Sequence, residues 1–188
     1  RELLLKAIQI QPDNVEVISL IELVEKQIRI RGYLTEAIKD FRNKNYASSK
    51  AALEKVLQIE PSNPKAQELM QQIEIEEEVN KKLELLRSAI ETKDLFRAQD
   101  ILLEILEIQP NNSQALKSLS QVQSQIKANQ DVAENLSQAR NAFSSKDFIA
   151  AQKFLNNVLN IDPSNKEAVE LQMKVNSIIF IDQENELK

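Results

Sequence analysis

One phrase recurs four times along this chain, and its ending limits what the chain can fold into. AIQIQPDN closes at Asn14, VLQIEPSN at Asn63, ILEIQPNN at Asn112 and VLNIDPSN at Asn165. The prolines are Pro12, Pro61, Pro110 and Pro163, at spacings of 49, 49 and 53 residues. Self-similarity at such a period marks a repeat architecture, in which each unit buries its apolar face only by stacking on a neighbour. Aligned on the proline, the residue two before is Ile10, Ile59, Ile108 or Ile161, and the residue eight before is Leu4, Leu53, Leu102 or Leu155. Four before stands Ile8, Leu57, Leu106 or Leu159. These offsets place one buried face on a helix, and the proline, which lacks an amide hydrogen and clashes with the preceding turn, ends it. Leu53, Leu57, Leu102, Leu106, Leu155 and Leu159 are therefore expected to be buried. The Asn two residues after each proline stands where the N-cap of a new helix belongs, and Pro64 suits a first helical turn.

A second block precedes the last three prolines: AIKDFRNKNYASSKAAL, LRSAIETKDLFRAQDIL and ARNAFSSKDFIAAQKFL. Each carries Phe41, Ile90 or Phe143, a polar break at Asn45, Asp94 or Asp147, and at once a large apolar residue, Tyr46, Leu95 or Phe148. The pattern predicts a helical hairpin. Together with Ala98 or Ala151 twelve residues before a proline and the closing Pro-x-Asn, it resembles the tetratricopeptide repeat family. The resemblance covers residues 34–63, 83–112 and 136–165, with residues 1–14 as the second helix of a truncated repeat. It departs from the family at Lys44, Lys93 and Lys146, where glycine is usual, at Ser49, which replaces an alanine, and in its period, which exceeds the usual ~34 residues.

The extra residues, 15–33, 64–82 and 113–135, hold no proline except Pro64 at the start of one and a single glycine, Gly32. Stripes such as Ala66, Leu69, Ile73, Val79, Leu83, Leu86 and Ile90, or Ala115, Leu119, Val122, Ile126, Ala133, Leu136, Ala139 and Phe143, predict that each segment continues into the next hairpin as one long helix. Its first half covers the preceding hairpin and its second half is the first helix of the next. No loop is expected at Glu76–Glu78 or Asn129, and a terminal helix is expected over 166–188. The fold class is therefore all-α: a helical-hairpin repeat array, a tetratricopeptide-like solenoid with long helices linking successive hairpins. Residues 1–188 form one such region, expected to be a fragment of a longer protein because the chain opens mid-pattern at Arg1.

Composition narrows the chemistry. Without His, Cys or Trp the chain offers no imidazole base, no thiolate and no Cys/His zinc site. No Gly-rich phosphate loop or Ser-centred nucleophile motif occurs. The run Glu74, Glu76, Glu77 and Glu78 reads as a solvated helix face, since consecutive helical residues point in different directions. Asn111-Asn112-Ser113 is formally a glycosylation sequon, but the cap role of Asn112 accounts for it better. No enzyme activity, cofactor or metal is expected.

With 24 basic against 29 acidic residues, a net charge of −5 gives no basic excess for phosphates, so nucleic acid is not an expected partner. No apolar run is long enough for a membrane span. The absence of cysteine is compatible with the cytoplasm and with a bacterial periplasm alike, so the location stays open.

The family resemblance implies a protein–protein interaction scaffold that holds a partner peptide or helix on the surface of the first helices. Carried over, that surface includes Ile38, Arg42, Arg87, Arg140 and Ser144, with Arg87 and Arg140 four residues after Leu83 and Leu136. Arginines recurring at one repeat position grip carboxylates well; solvated surface arginines are the plainer reading. The alternative is a structural module, a homo-oligomer that stacks through the exposed ends of the repeat array.

Overall fold

The computed structural model describes residues 2–186, with side chains through residue 181. All its elements are helices: α1 (Glu2–Ile10), α2 (Val15–Arg42), α3 (Tyr46–Ile59), α4 (Pro64–Glu91), α5 (Leu95–Ile108), α6 (Ser113–Ser144), α7 (Phe148–Ile161) and α8 (Lys166–Glu186). Among the described residues there is no strand. The long helices run unbroken, α4 through Glu76–Glu78 and α6 through Asn129. Residues 187 and 188 of the expected terminal helix, and residue 1 of the truncated repeat, lie outside the described residues.

Each proline turn is built in the same way. The residue before the proline, Gln11, Glu60, Gln109 or Asp162, accepts at its carbonyl from the amide of the cap asparagine three residues on. Its side chain also accepts from the asparagine amide group: Asn14 to Gln11 at 2.9 Å, Asn63 to Glu60 at 2.7 Å, Asn112 to Gln109 at 2.9 Å and Asn165 to Asp162 at 3.2 Å. So held, each asparagine oxygen accepts from the backbone N–H of Val17, Ala66, Ala115 or Ala168 at 3.0–3.1 Å. One of the helix's unpaired donors is thereby satisfied.

The hairpin turns are also alike, and here the lysines matter. Lys44, Lys93 and Lys146 adopt φ of 59°, 58° and 61°, the left-handed region that favours glycine. The amide of each bonds back three residues and the next amide bonds back five, as with Asn45 to Asp40 at 2.9 Å. This double bond closes the helix C-terminus in a Schellman turn. Asp94 and Asp147 then cap α5 and α7 with their carboxylates; Asn45 makes no such bond to α3.

The chain divides into two compact units, residues 1–84 and 85–188, with the boundary inside α4. In the first, Ile30 and Ala37 of α2, Ala52, Leu53 and Val56 of α3, and Ala66 and Ile73 of α4 form one core. The first half of α4 thus closes the hairpin α2–α3. Ser49, buried between α3 and α2, donates its hydroxyl to the Ala37 carbonyl at 2.8 Å, so a polar group in this core is paired. In the second unit, Leu136 and Ala139 of α6, Ala151, Leu155 and Val158 of α7, and Ala168 and Val175 of α8 form the matching core. Between them in sequence, Leu86, Ala89, Ala98, Ile101, Leu102, Ile105, Ala115 and Val122 are buried in the same unit.

The buried stripe of each second helix is turned slightly from the expected one. Leu53, Leu102 and Leu155 are fully buried, but Leu57, Leu106 and Leu159 are only half-buried. The residue five before each proline, Val56, Ile105 or Val158, is fully buried instead. A second helix covered both by its own first helix and by the following long helix centres its stripe between the two contacts. Reading only the hairpin partner misplaces that centre by one residue.

Candidate functional site

On the first helix of the first hairpin, one face is left uncovered. Ile38, 40% exposed, lines an open groove of about 520 Å³ together with Arg31, Leu34 and Thr35 of α2, Glu60 at the end of α3 and Lys65 in the first turn of α4. The floor is apolar, from Ile30, Leu34 and Ile38, and the walls carry both charge signs. Among the described residues neither Arg31 nor Lys65 enters an ion pair. Arg42 is exposed one turn further along α2 and does not line the groove.

At the corresponding place in the third hairpin an ion pair joins the two helices. Arg140 on α6, at the repeat position of Ile38, donates its Nε to the Glu167 carboxylate at 2.6 Å, with Nη2 at 2.5 Å from the same oxygen. Glu167 stands four residues after Pro163, as Lys65 stands four after Pro61. Both side chains of the pair are about half exposed, so the bridge contributes little to stability, but it occupies the charge of Arg140. Ser144 is exposed at the last position of α6, one turn beyond Arg140, and Arg87 is exposed on α4. Ile38 and Arg42 therefore belong to the first unit, and Arg87, Arg140 and Ser144 to the second.

The acidic run is spread around α4. Glu77 receives Lys50 of α3 at 2.6 Å, and among the described residues no three acidic side chains are grouped to hold a metal ion. Tyr46 opens α3 beside that run. Burial pushes its phenol pKa up, the negative charges of Glu76 and Glu77 push in the same direction, and a hydrogen bond with the Asn80 side chain acts against them. No described helix is long and apolar enough to cross a membrane.

The groove residues Arg31 and Lys65 were not among those singled out from the sequence. The signal was present in the aligned copies, where the Ile38/Lys65 pair stands opposite Arg140/Glu167, but only the contact between α6 and α8 shows that these two positions meet. No known family model matches the chain, and no curated protein matches it significantly.

Proposed function

We propose that this protein is a non-catalytic interaction scaffold, a divergent tetratricopeptide-like array with elongated first helices, which binds a partner peptide or helix on its first-helix surface. The observation that carries this reading is the groove along α2: an apolar floor with Arg31 and Lys65 beside it and no internal side chain closing it. An amphipathic helix or extended peptide docks by placing apolar anchors on such a floor, with charges at the rim setting register. The proline-turn caps and hairpin turns repeated in each copy support the tetratricopeptide likeness, since they hold every first helix in the same setting.

The test is to pan a random peptide display library on the whole chain and to measure an enriched peptide against variants. Ile38→Glu is expected to weaken binding at least about tenfold, because it puts a charge on the apolar floor. Lys65→Glu reports on the charged rim of this groove, and the pair Arg87→Glu with Arg140→Glu reports on the first-helix surface of the second unit. Unchanged affinity in all of them, with helical circular dichroism intact, places the docking surface elsewhere.

A specific observation favours one second reading, self-assembly. Leu3 and Ile10 of α1 are each 81% exposed, and Val15 at the start of α2 is nearly as open. Apolar side chains so exposed on one stretch of chain are suited to cover by another copy.

A further inference from the structure

The three hairpin tips share one backbone turn and differ in the rings they carry. In the first, the Tyr46 ring packs on Phe41 with centroids 5.9 Å apart, and its hydroxyl hydrogen-bonds Asn80 of the following long helix. In the third, Phe148 packs edge-on against Phe143 at 5.7 Å. The middle hairpin carries Ile90 and Leu95 at these positions, and no ring. Ile90 is 52% exposed, where Phe41 and Phe143 are half-buried.

Beside this tip lies a pocket. About 290 Å³ is open between the tip, at Lys93, Leu95 and Phe96, and the middle of α6, at Ile126, Asn129 and Ala133. Leu95 and Ile126 supply apolar walls, and Phe96, 63% exposed, stands at the rim. Asn129 lies 49 residues after Asn80, the repeat distance, so it is the counterpart of the amide that meets the Tyr46 hydroxyl. The middle repeat thus keeps the hydrogen-bonding partner of a tyrosine and lacks the tyrosine. Its volume is near the lower end for small-ligand clefts, room for one ring and not for a larger ligand.

We propose that the pocket at the tip of the middle hairpin receives the tyrosine side chain of a partner peptide, with the ring between Leu95, Phe96 and Ile126 and its hydroxyl on the Asn129 amide. The occupant is argued from the protein's own first repeat, where a tyrosine aligns with Leu95 and Asn80, the counterpart of Asn129, meets its hydroxyl. Amphipathic rings of this kind anchor interfaces because one end is apolar and the other needs a hydrogen-bond partner. The pocket lies off the α2 groove, and this site stands or falls independently of that one.

The probe is p-cresol, the tyrosine side chain as a free molecule, titrated into the isotope-labelled whole chain and followed by NMR. Saturable shifts are expected at Leu95, Phe96, Ile126 and the Asn129 side-chain amide, with a roughly millimolar dissociation constant for so small a ligand. Leu95→Tyr, which fills the pocket from within, is expected to abolish them. Asn129→Ala, at an exposed helix position, should weaken p-cresol about fivefold and leave toluene unchanged, as the loss of one hydrogen bond requires. Panning a random peptide library on the native chain and on Leu95→Tyr should enrich tyrosine only on the native chain. Shifts that do not saturate, shifts that persist in Leu95→Tyr, equal effects of Asn129→Ala on p-cresol and toluene, or no tyrosine enrichment each overturn the proposal.

Discussion

At the scale of single residues, the lysines of the hairpin turns are the least expected choice. A left-handed φ costs an L-residue about 1–2 kcal/mol, and glycine avoids that cost at the price of a more disordered unfolded chain. Lys93→Gly is therefore expected to stabilise the protein by about 0.5–1 kcal/mol, read from the denaturant midpoint. No gain would mean that the lysine side chain contributes an offsetting contact. Tyr46 is the second residue-scale case. Its folded-state pKa is raised above 10.0, so its contribution to stability is complete below that value and is lost as pH rises through the folded pKa. Tyr33→Phe leaves Tyr46 the sole tyrosine of the two, and its phenolate absorbance should appear at higher pH in the native chain than in the same chain unfolded by denaturant. Coincident titrations would show that the Tyr46 hydroxyl is fully hydrated.

The helices show how a stripe is shared between partners. Leu102 is fully buried and Leu106, one turn on, is only half-buried, although both sit on the periodic apolar face of α5. Leu102→Ala is expected to cost about 2–5 kcal/mol, because a cavity remains where the side chain was. Leu106→Ala should cost clearly less, and equal losses in equilibrium unfolding would place the core of α5 elsewhere. At the start of α6, Asn112→Ala should cost about 1 kcal/mol, since it removes both the cap on Ala115 and the clasp on Gln109. The helix boundaries were legible for this reason: a proline, an asparagine and a polar break act within a few residues of themselves.

At the scale of the whole molecule, the exposed apolar side chains of α1 decide between a scaffold acting as a single chain and one that associates. Light scattering across a wide concentration range separates the two. A constant mass of 21.5 kDa removes self-assembly. A mass that rises with concentration, and falls back in Leu3→Glu with Ile10→Glu, locates the contact on that face. The candidate site was only partly legible beforehand. Ile38 was named as part of the first-helix surface, but the Arg31 and Lys65 lining and the Arg140–Glu167 pair join residues 27 or more apart in sequence, and periodicity carries no information about such pairs.

The sequence by itself determined the all-α class, the proline turns with their asparagine caps, the hairpin breaks and the continuous long helices, because each rests on backbone chemistry acting over one or two turns. Tertiary structure alone decided which residue of each apolar face lies deepest, since Val56 and Val158 each sit in a core to which two further helices contribute. It also decided where the surface stays open. The groove at Ile38 and the pocket at Leu95 are each bordered by side chains from separate helices, and the size of a gap depends on every side chain that borders it.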